Sequence, residues 1–185
     1  ISGASLNTGA SSSIQGQSVS ITTTGAMTTG TDSVMAATNG TSIIVGTTLN
    51  TGASSRITVG GALNVQAATL IHGVDAQMSA ASVATNVSGS VTMLLNSQIR
   101  ATGNATINAG GDMTLEDDTI VEALSVDLSA GDVATFKAGS TVRAGDVLTI
   151  SSDDVLMQNA DALFEAGTSM IIAIDLTDRD AAGGA

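Results

Sequence analysis

Four charged residues recur at a spacing that could do chemistry. Arg100, Glu122, Arg143 and Glu165 lie 22, 21 and 22 positions apart, and their signs alternate. Each follows an apolar residue (Ile99, Val121, Val142 and Phe164), so on a strand that buries the apolar residue the charge faces outward. Stacked at that period, they form a ladder of alternating sign across neighbouring strands, a modestly stabilising arrangement that like charges would reverse. Its expected role is to fix the register of successive repeats; a ligand-binding strip is the alternative.

Acids gather in the second half of the chain: Asp112, Glu116, Asp117, Asp118, Asp132, Asp146, Asp153 and Asp154. Asp132 and Asp154 fall at the same place in the repeat, with Asp112 one position off. Stacked carboxylates repel and raise one another's pKa, a cost that a bound Ca²⁺ would remove. The calcium-binding nonapeptide G-G-x-G-x-D and the EF-hand loop are both missing, so the reading is a solvated acidic face, with structural Ca²⁺ left open. Asp175, Asp178 and Asp180 near the C-terminus are ambiguous in the same way.

Composition bounds the remaining chemistry. The 185 residues carry 5 Lys+Arg against 17 Asp+Glu, a formal net charge of −12, with no Pro, Cys, Trp or Tyr. So few cations and no stacking platform argue against nucleic-acid binding. Without Cys there is no disulfide, thiol catalysis or thiolate metal site. The single histidine, His72, reads as a turn residue and leaves little for zinc or Ser-His chemistry. A polysaccharide lyase or hydrolase would need paired acids in a cleft plus basic or aromatic sugar contacts, and Lys137 is the one lysine, so no enzyme is expected. A hydrophobic share of 43% argues against disorder, and no apolar run is long enough to span a bilayer as a helix. Thr22–Thr24 and Thr28–Thr31 suggest an ice-binding face, but Thr-x-Thr does not recur at matching places in the other repeats. The sequons at Asn39, Asn86 and Asn104 are expected by chance in so Asn/Ser/Thr-rich a chain.

The elements that position these residues follow from the repeats. Leu6–Ile14 (LNTGASSSI) and Leu49–Ile57 (LNTGASSRI) match at eight of nine residues, 43 positions apart. Half that distance is the elementary period. One apolar column runs Ile21, Ile43, Val65, Val87, Ile107, Leu128, Ile150 and Ile172; a second runs Met27, Leu49, Ile71, Met93, Met113, Ala134 and Leu156. A third runs Val34, Ile57, Met78, Ile99, Val121, Val142 and Phe164. Within each, apolar and polar residues alternate, as in Leu63-Asn64-Val65 and Val126-Asp127-Leu128, and turns such as Ala109–Asp112 lie between. Three short strands every 21 or 22 residues describe one rung of a β-solenoid. The expectation is all-β: a right-handed parallel β-helix of about eight rungs, with Phe136, Phe164 and the seven Met filling its interior. The chain is expected to be a single solenoid segment over 1–185. Residues 1–17 would make an incomplete first rung and 175–185 an acidic, Gly-rich end, the whole an interior piece of a longer repetitive chain.

Asn104–Leu115 (NATINAGGDMTL), Val126–Asp132 (VDLSAGD) and Arg143–Ile150 (RAGDVLTI) carry a recurring phrase, [VI]-x-[LI]-x-A-G-[GD]. This resembles the haemagglutinin-type repeats of filamentous haemagglutinin and related large bacterial exoproteins. The resemblance runs from about Ser18 and is best from Gly103 to Gly167; the first 60 residues are looser and Thr/Ser-rich. It implies the shaft of a secreted or cell-surface adhesin, exported by a dedicated partner transporter. The expected partners are flanking rungs or stacked copies of the chain, with host or cell-surface ligands open and neither nucleic acid nor a membrane span. The alternative function is a subunit of an extracellular filament or sheath that stacks end to end.

Overall fold

The computed structural model describes residues 1–154 and 156–174, without the side chain of Met157; Asp175, Asp178, Asp180 and the rest of the 175–185 end lie outside the described residues. The described chain is a β-solenoid of three parallel sheets, one of nine strands and two of eight, and contains no helix. Each rung lays one strand in each sheet. The fourth runs Ala62–Ala67, Thr69–His72 and Gln77–Ala80, and the strand Ser82–Val87 then pairs beside the first of these. Eight rungs are complete, and Ser169–Ile174 adds a ninth strand to the first sheet. Residues 1–17 place a strand in every sheet, although two of the three are only two residues long.

Alternation decides what is buried. In Ala62–Ala67 the inward residues Leu63, Val65 and Ala67 are buried while Ala62, Asn64 and Gln66 are exposed. Each fully buried aliphatic side chain contributes about 1.5–3 kcal/mol. No strand contains proline, which would remove an N–H that the adjacent rung needs. Phe136 is buried and meets the partly buried Phe164 edge to face, ring centroids 4.8 Å apart. Met27, Met35, Met78, Met93 and Met113 are buried as expected, but Met170 is exposed on the last described strand.

The strand register corrects the three columns in detail. In the first sheet Val65 pairs with Thr85, and Thr85 with Ile107, so the fourth member is Thr85 and Val87 lies two residues further along the same inner face. In the second sheet Leu49 pairs with Leu70 and Leu70 with Val91; Ile71 faces outward beside Asn50 and Thr92. In the third sheet Met35, not Val34, pairs with Ile57.

The second-sheet difference comes from one short corner. From first-sheet column to second-sheet column the chain takes six residues in most rungs, but only five from Val65 to Leu70. A shift of one residue exchanges the two faces of a strand, so a constant step lands on the outward neighbour. By contrast, the arc from second column to third is eight residues in every rung, from Leu6 to Ile14 through Leu156 to Phe164.

That constant arc has a conformational mark. Its fifth residue takes positive φ in each rung: Ser11, Asp32, Ser54, Asp75, Asn96, Asp118, Gly139 and Asp161. Apart from Gly139, these are residue types whose short polar side chains tolerate the left-handed region. In seven of the rungs the next backbone N–H closes a tight turn onto the carbonyl three residues back, as Asn96-Ser97 does onto Leu94 at 3.0 Å and Gly139-Ser140 onto Lys137 at 3.1 Å.

Candidate functional site

The third sheet brings the four charged residues together in register. Arg100 pairs with Glu122, Glu122 with Arg143 and Arg143 with Glu165, each on the strand of the next rung. Their inward neighbours Ile99, Val121 and Val142 are fully buried, which fixes the charges on the outer face. Arg100 Nη1 lies 2.8 Å from Glu122 Oε2, and Arg143 Nε donates to Glu165 Oε2. The hydrogen bond and charge of Glu165, with a smaller contribution from Glu122, raise the pKa of the Arg143 guanidinium further. Both ion pairs are close to half exposed, so solvent screens them and their direct contribution to stability is small.

The ladder borders a shallow open groove of about 910 Å³, whose lining includes the four charged residues and small residues such as Ala123 and Ala144. Arg100 Nε is also bound to Gln98 Oε1 at 3.1 Å. One rung pair earlier, Arg56 Nε donates to Gln77 Oε1 at 3.2 Å. The Arg56–Gln77 bond and the two ion pairs run along the rod axis from rung to rung, whereas Arg100–Gln98 lies within one strand.

The acids expected to form one solvated face are distributed among different tasks. Glu116 pairs with Lys137 at 2.6 Å, a third rung-to-rung ion pair that the 21-residue spacing of the two could have disclosed. Asp112 Oδ1 accepts the Val133 N–H at 3.3 Å, and Asp146 accepts the Thr168 hydroxyl. Asp118 is one of the positive-φ turn residues. Asp132 and Asp154 do stack, with the Asp154 N–H donating to the Asp132 carbonyl at 3.2 Å. Among the described residues no group of three or more His, Asp or Glu converges as a metal site.

His72 departs from expectation most. It ends the strand Thr69–His72, points inward and is fully buried rather than sitting in a turn. The reason lies in the residues stacked below it. In the first four rungs this inward position and its successor read Thr8-Gly9, Thr29-Gly30, Thr51-Gly52 and His72-Gly73. Each threonine hydroxyl accepts the glycine N–H of the next rung: Thr8 from Gly30 at 3.1 Å, Thr29 from Gly52 at 2.9 Å, Thr51 from Gly73 at 3.0 Å. A side chain at Gly73 would put its Cβ 2.2 Å from the Thr51 carbonyl oxygen, so glycine is needed for the close approach.

The seam ends on His72, whose Nδ1 lies 2.8 Å from Thr51 Oγ1 and whose Nε2 lies 3.1 Å from the Gln98 carbonyl. Since that carbonyl can only accept, Nε2 carries the proton and Nδ1 accepts from Thr51. Burial pushes the imidazole pKa down to about 4, against the opposing pull of hydrogen bonds to the backbone of Gln98 and Ala76. Above His72 the same position becomes apolar: Met93, Leu115 and Phe136.

Two features weighed in the sequence take definite places. Thr23 and Thr29, within the two threonine-rich stretches, are buried rather than displayed on a face. Asn39, Asn86 and Asn104 are all exposed, and Asn86 Oδ1 accepts from Asn108 Nδ2 at 3.0 Å. The ladder, groove and seam together define a repetitive β-solenoid in which side chains bond mainly to the rungs beside them. Comparison with family models, curated proteins and solved structures returned no match for the chain.

Proposed function

We propose that this chain is a shaft segment of a secreted or cell-surface adhesin or exoprotein, acting by stiffness and display rather than by chemistry. The observation that carries the reading is the interchangeability of rungs. Leu6–Ile14 and Leu49–Ile57 take the same place in the first and third rungs, with Leu6 and Leu49 in one column and Ile14 and Ile57 in another. Units that contact only their neighbours can be added without altering the rest, which is how a rod gains length. The resemblance to haemagglutinin-type repeats supports the adhesin class and an extracellular location.

The second reading, a filament or sheath subunit that stacks end to end, is favoured by one observation. Met170 and Ile172 are exposed on the last described strand, whereas their partners Leu148 and Ile150 are buried. A further rung, from the same chain or from another copy, would cover them. Electron microscopy of the native source material with intact-mass measurement of the chain separates the two. A very long polypeptide projecting from cells supports the shaft; short chains stacked with a fixed axial repeat support the filament subunit. Compact particles with neither feature would sink both.

A further inference from the structure

The strand-borne charges of this protein are segregated. The described strands of the first and second sheets carry one Lys, Arg, Asp or Glu between them, Asp127. Those of the third sheet carry five: Arg56, Arg100, Glu122, Arg143 and Glu165. In a chain of net charge −12, this one face holds three of the five cations and two of the 17 acids. Among the described residues the other acids lie between strands, and the outer columns of the remaining sheets are mostly Ser, Thr and Asn.

Holding register is an incomplete account of that segregation, because any of the three sheets could carry register pairs. Alternation over an even number of rungs has a further property. Turn the ladder end over end about a two-fold axis passing between Glu122 and Arg143, and set it against itself. Arg100 then meets Glu165 of the second copy, and Glu122 meets its Arg143, so all four contacts are between opposite charges. The parallel arrangement sets Arg100 on Arg100 and Glu122 on Glu122 and is repulsive throughout.

We propose that the outer face of the third sheet is an interaction surface for the same face of a second copy, with the two rods antiparallel. The contact is isologous, the commonest kind in homo-oligomers. It also brings together the faces that carry no net negative charge. The groove beside the ladder, lined by small residues such as Ala123 and Ala144, admits close approach. Rungs about 4.8 Å apart make the charged strip roughly 14 Å long, so the contact is specific in orientation and moderate in strength.

Sedimentation equilibrium of the chain at sub-millimolar concentration and physiological ionic strength tests this with two designed variants. In the double variant Arg100→Glu with Glu122→Arg, residues 100 and 122 still form a pair, as do Arg143 and Glu165. The column now reads −, +, +, −, however, and every contact across the two-fold is between like charges. The native chain is expected to dimerise and this variant to do so at least about tenfold more weakly, with an unchanged circular dichroism spectrum. The fourfold variant that exchanges Arg and Glu at all four positions is expected to dimerise like the native chain. A native chain that stays monomeric throughout the range overturns the proposal. So does a double variant that associates as tightly as the native chain, which is the result expected of end-to-end stacking.

Discussion

The hydroxyl of Thr51 and the imidazole of His72 meet inside the coil, Oγ1 to Nδ1 at 2.8 Å, one rung apart. The threonine also accepts the Gly73 N–H, so its own proton is free for the imidazole. His72 therefore joins a polar seam below to an apolar column above, and each of its ring nitrogens has a partner. Buried polar groups satisfied in this way specify one register, because a slip of one residue would strand every member.

That arrangement makes stability depend on pH. The folded-state pKa of His72 is about 4, below the ordinary 6.5, so as pH falls the unfolded chain takes up this proton first. The contribution is fully present above pH 6.5 and is lost through the window down to about 4, amounting to about 3 kcal/mol. Urea titrations of the native chain and of His72→Gln across this window check it. The native protein should be the more stable at neutral pH, with the gap narrowing by about 3 kcal/mol at the acid end. A gap independent of pH would show that the imidazole is not held neutral.

Thr85 offers a gain in stability. Its hydroxyl is buried and has no hydrogen-bond partner, at a column position that Ile21, Ile43, Val65, Ile107, Leu128 and Ile150 fill with aliphatic side chains. Thr85→Val removes an uncompensated polar group at nearly constant volume and should stabilise the protein by about 1–2 kcal/mol. Thermal unfolding reads this directly; a lower melting temperature would mean that the hydroxyl is satisfied after all.

The same residue shows where the sequence stopped being legible. The period, the three sheets and the Arg100–Glu165 ladder could be read because inward apolar residues recur and fix the face of their neighbours. Thr85 is hidden in the sequence because a polar residue breaks an apolar column, and Val87, on the same inner face, fits the column better. Leu70 is hidden for a different reason. The short corner at Ala68 changes the parity of the strand, and Leu70-Ile71 offers an apolar residue on either face. The positive-φ column is not legible as a motif because Ser, Asp, Asn and Gly can all occupy it, so no single residue type marks it. Its signal is the constant eight-residue arc, which only the strand register defines. A lone His72 gave no pattern at all; its partners are the threonine and glycine of neighbouring rungs, not residues near it in the chain.

Gly139 tests the importance of the left-handed turns. It is the one glycine of that column, with φ of 69°, and a Cβ there would sit 2.3 Å from Asp118 Oδ1 of the rung below. Gly139→Ala combines backbone strain with displacement of that carboxylate and should cost about 1–2 kcal/mol. Gly139→Asn, a type the column already uses at Asn96, should cost less than the alanine despite its larger side chain. If the two variants melt together, the conformational argument fails and only the steric one stands.

The charge ladder makes the last prediction, and its sign is fixed by neighbours on both sides. Glu122 lies between Arg100 and Arg143 in register, so Glu122→Arg would set three cations in one column. Loss of the Arg100 pair and two new like-charge contacts should lower the melting temperature by about 2 °C at low ionic strength. These groups are exposed, so salt near 1 M, where the screening length falls to about 3 Å, should erase most of the difference. Glu122→Gln separates the two contributions, since it removes the attraction without adding repulsion and should fall between the native chain and the arginine variant. An arginine variant that melts with the native chain in low salt would leave the alternation without an energetic role in the fold. The segregation of strand charges to the third sheet would then call for an explanation outside the single chain.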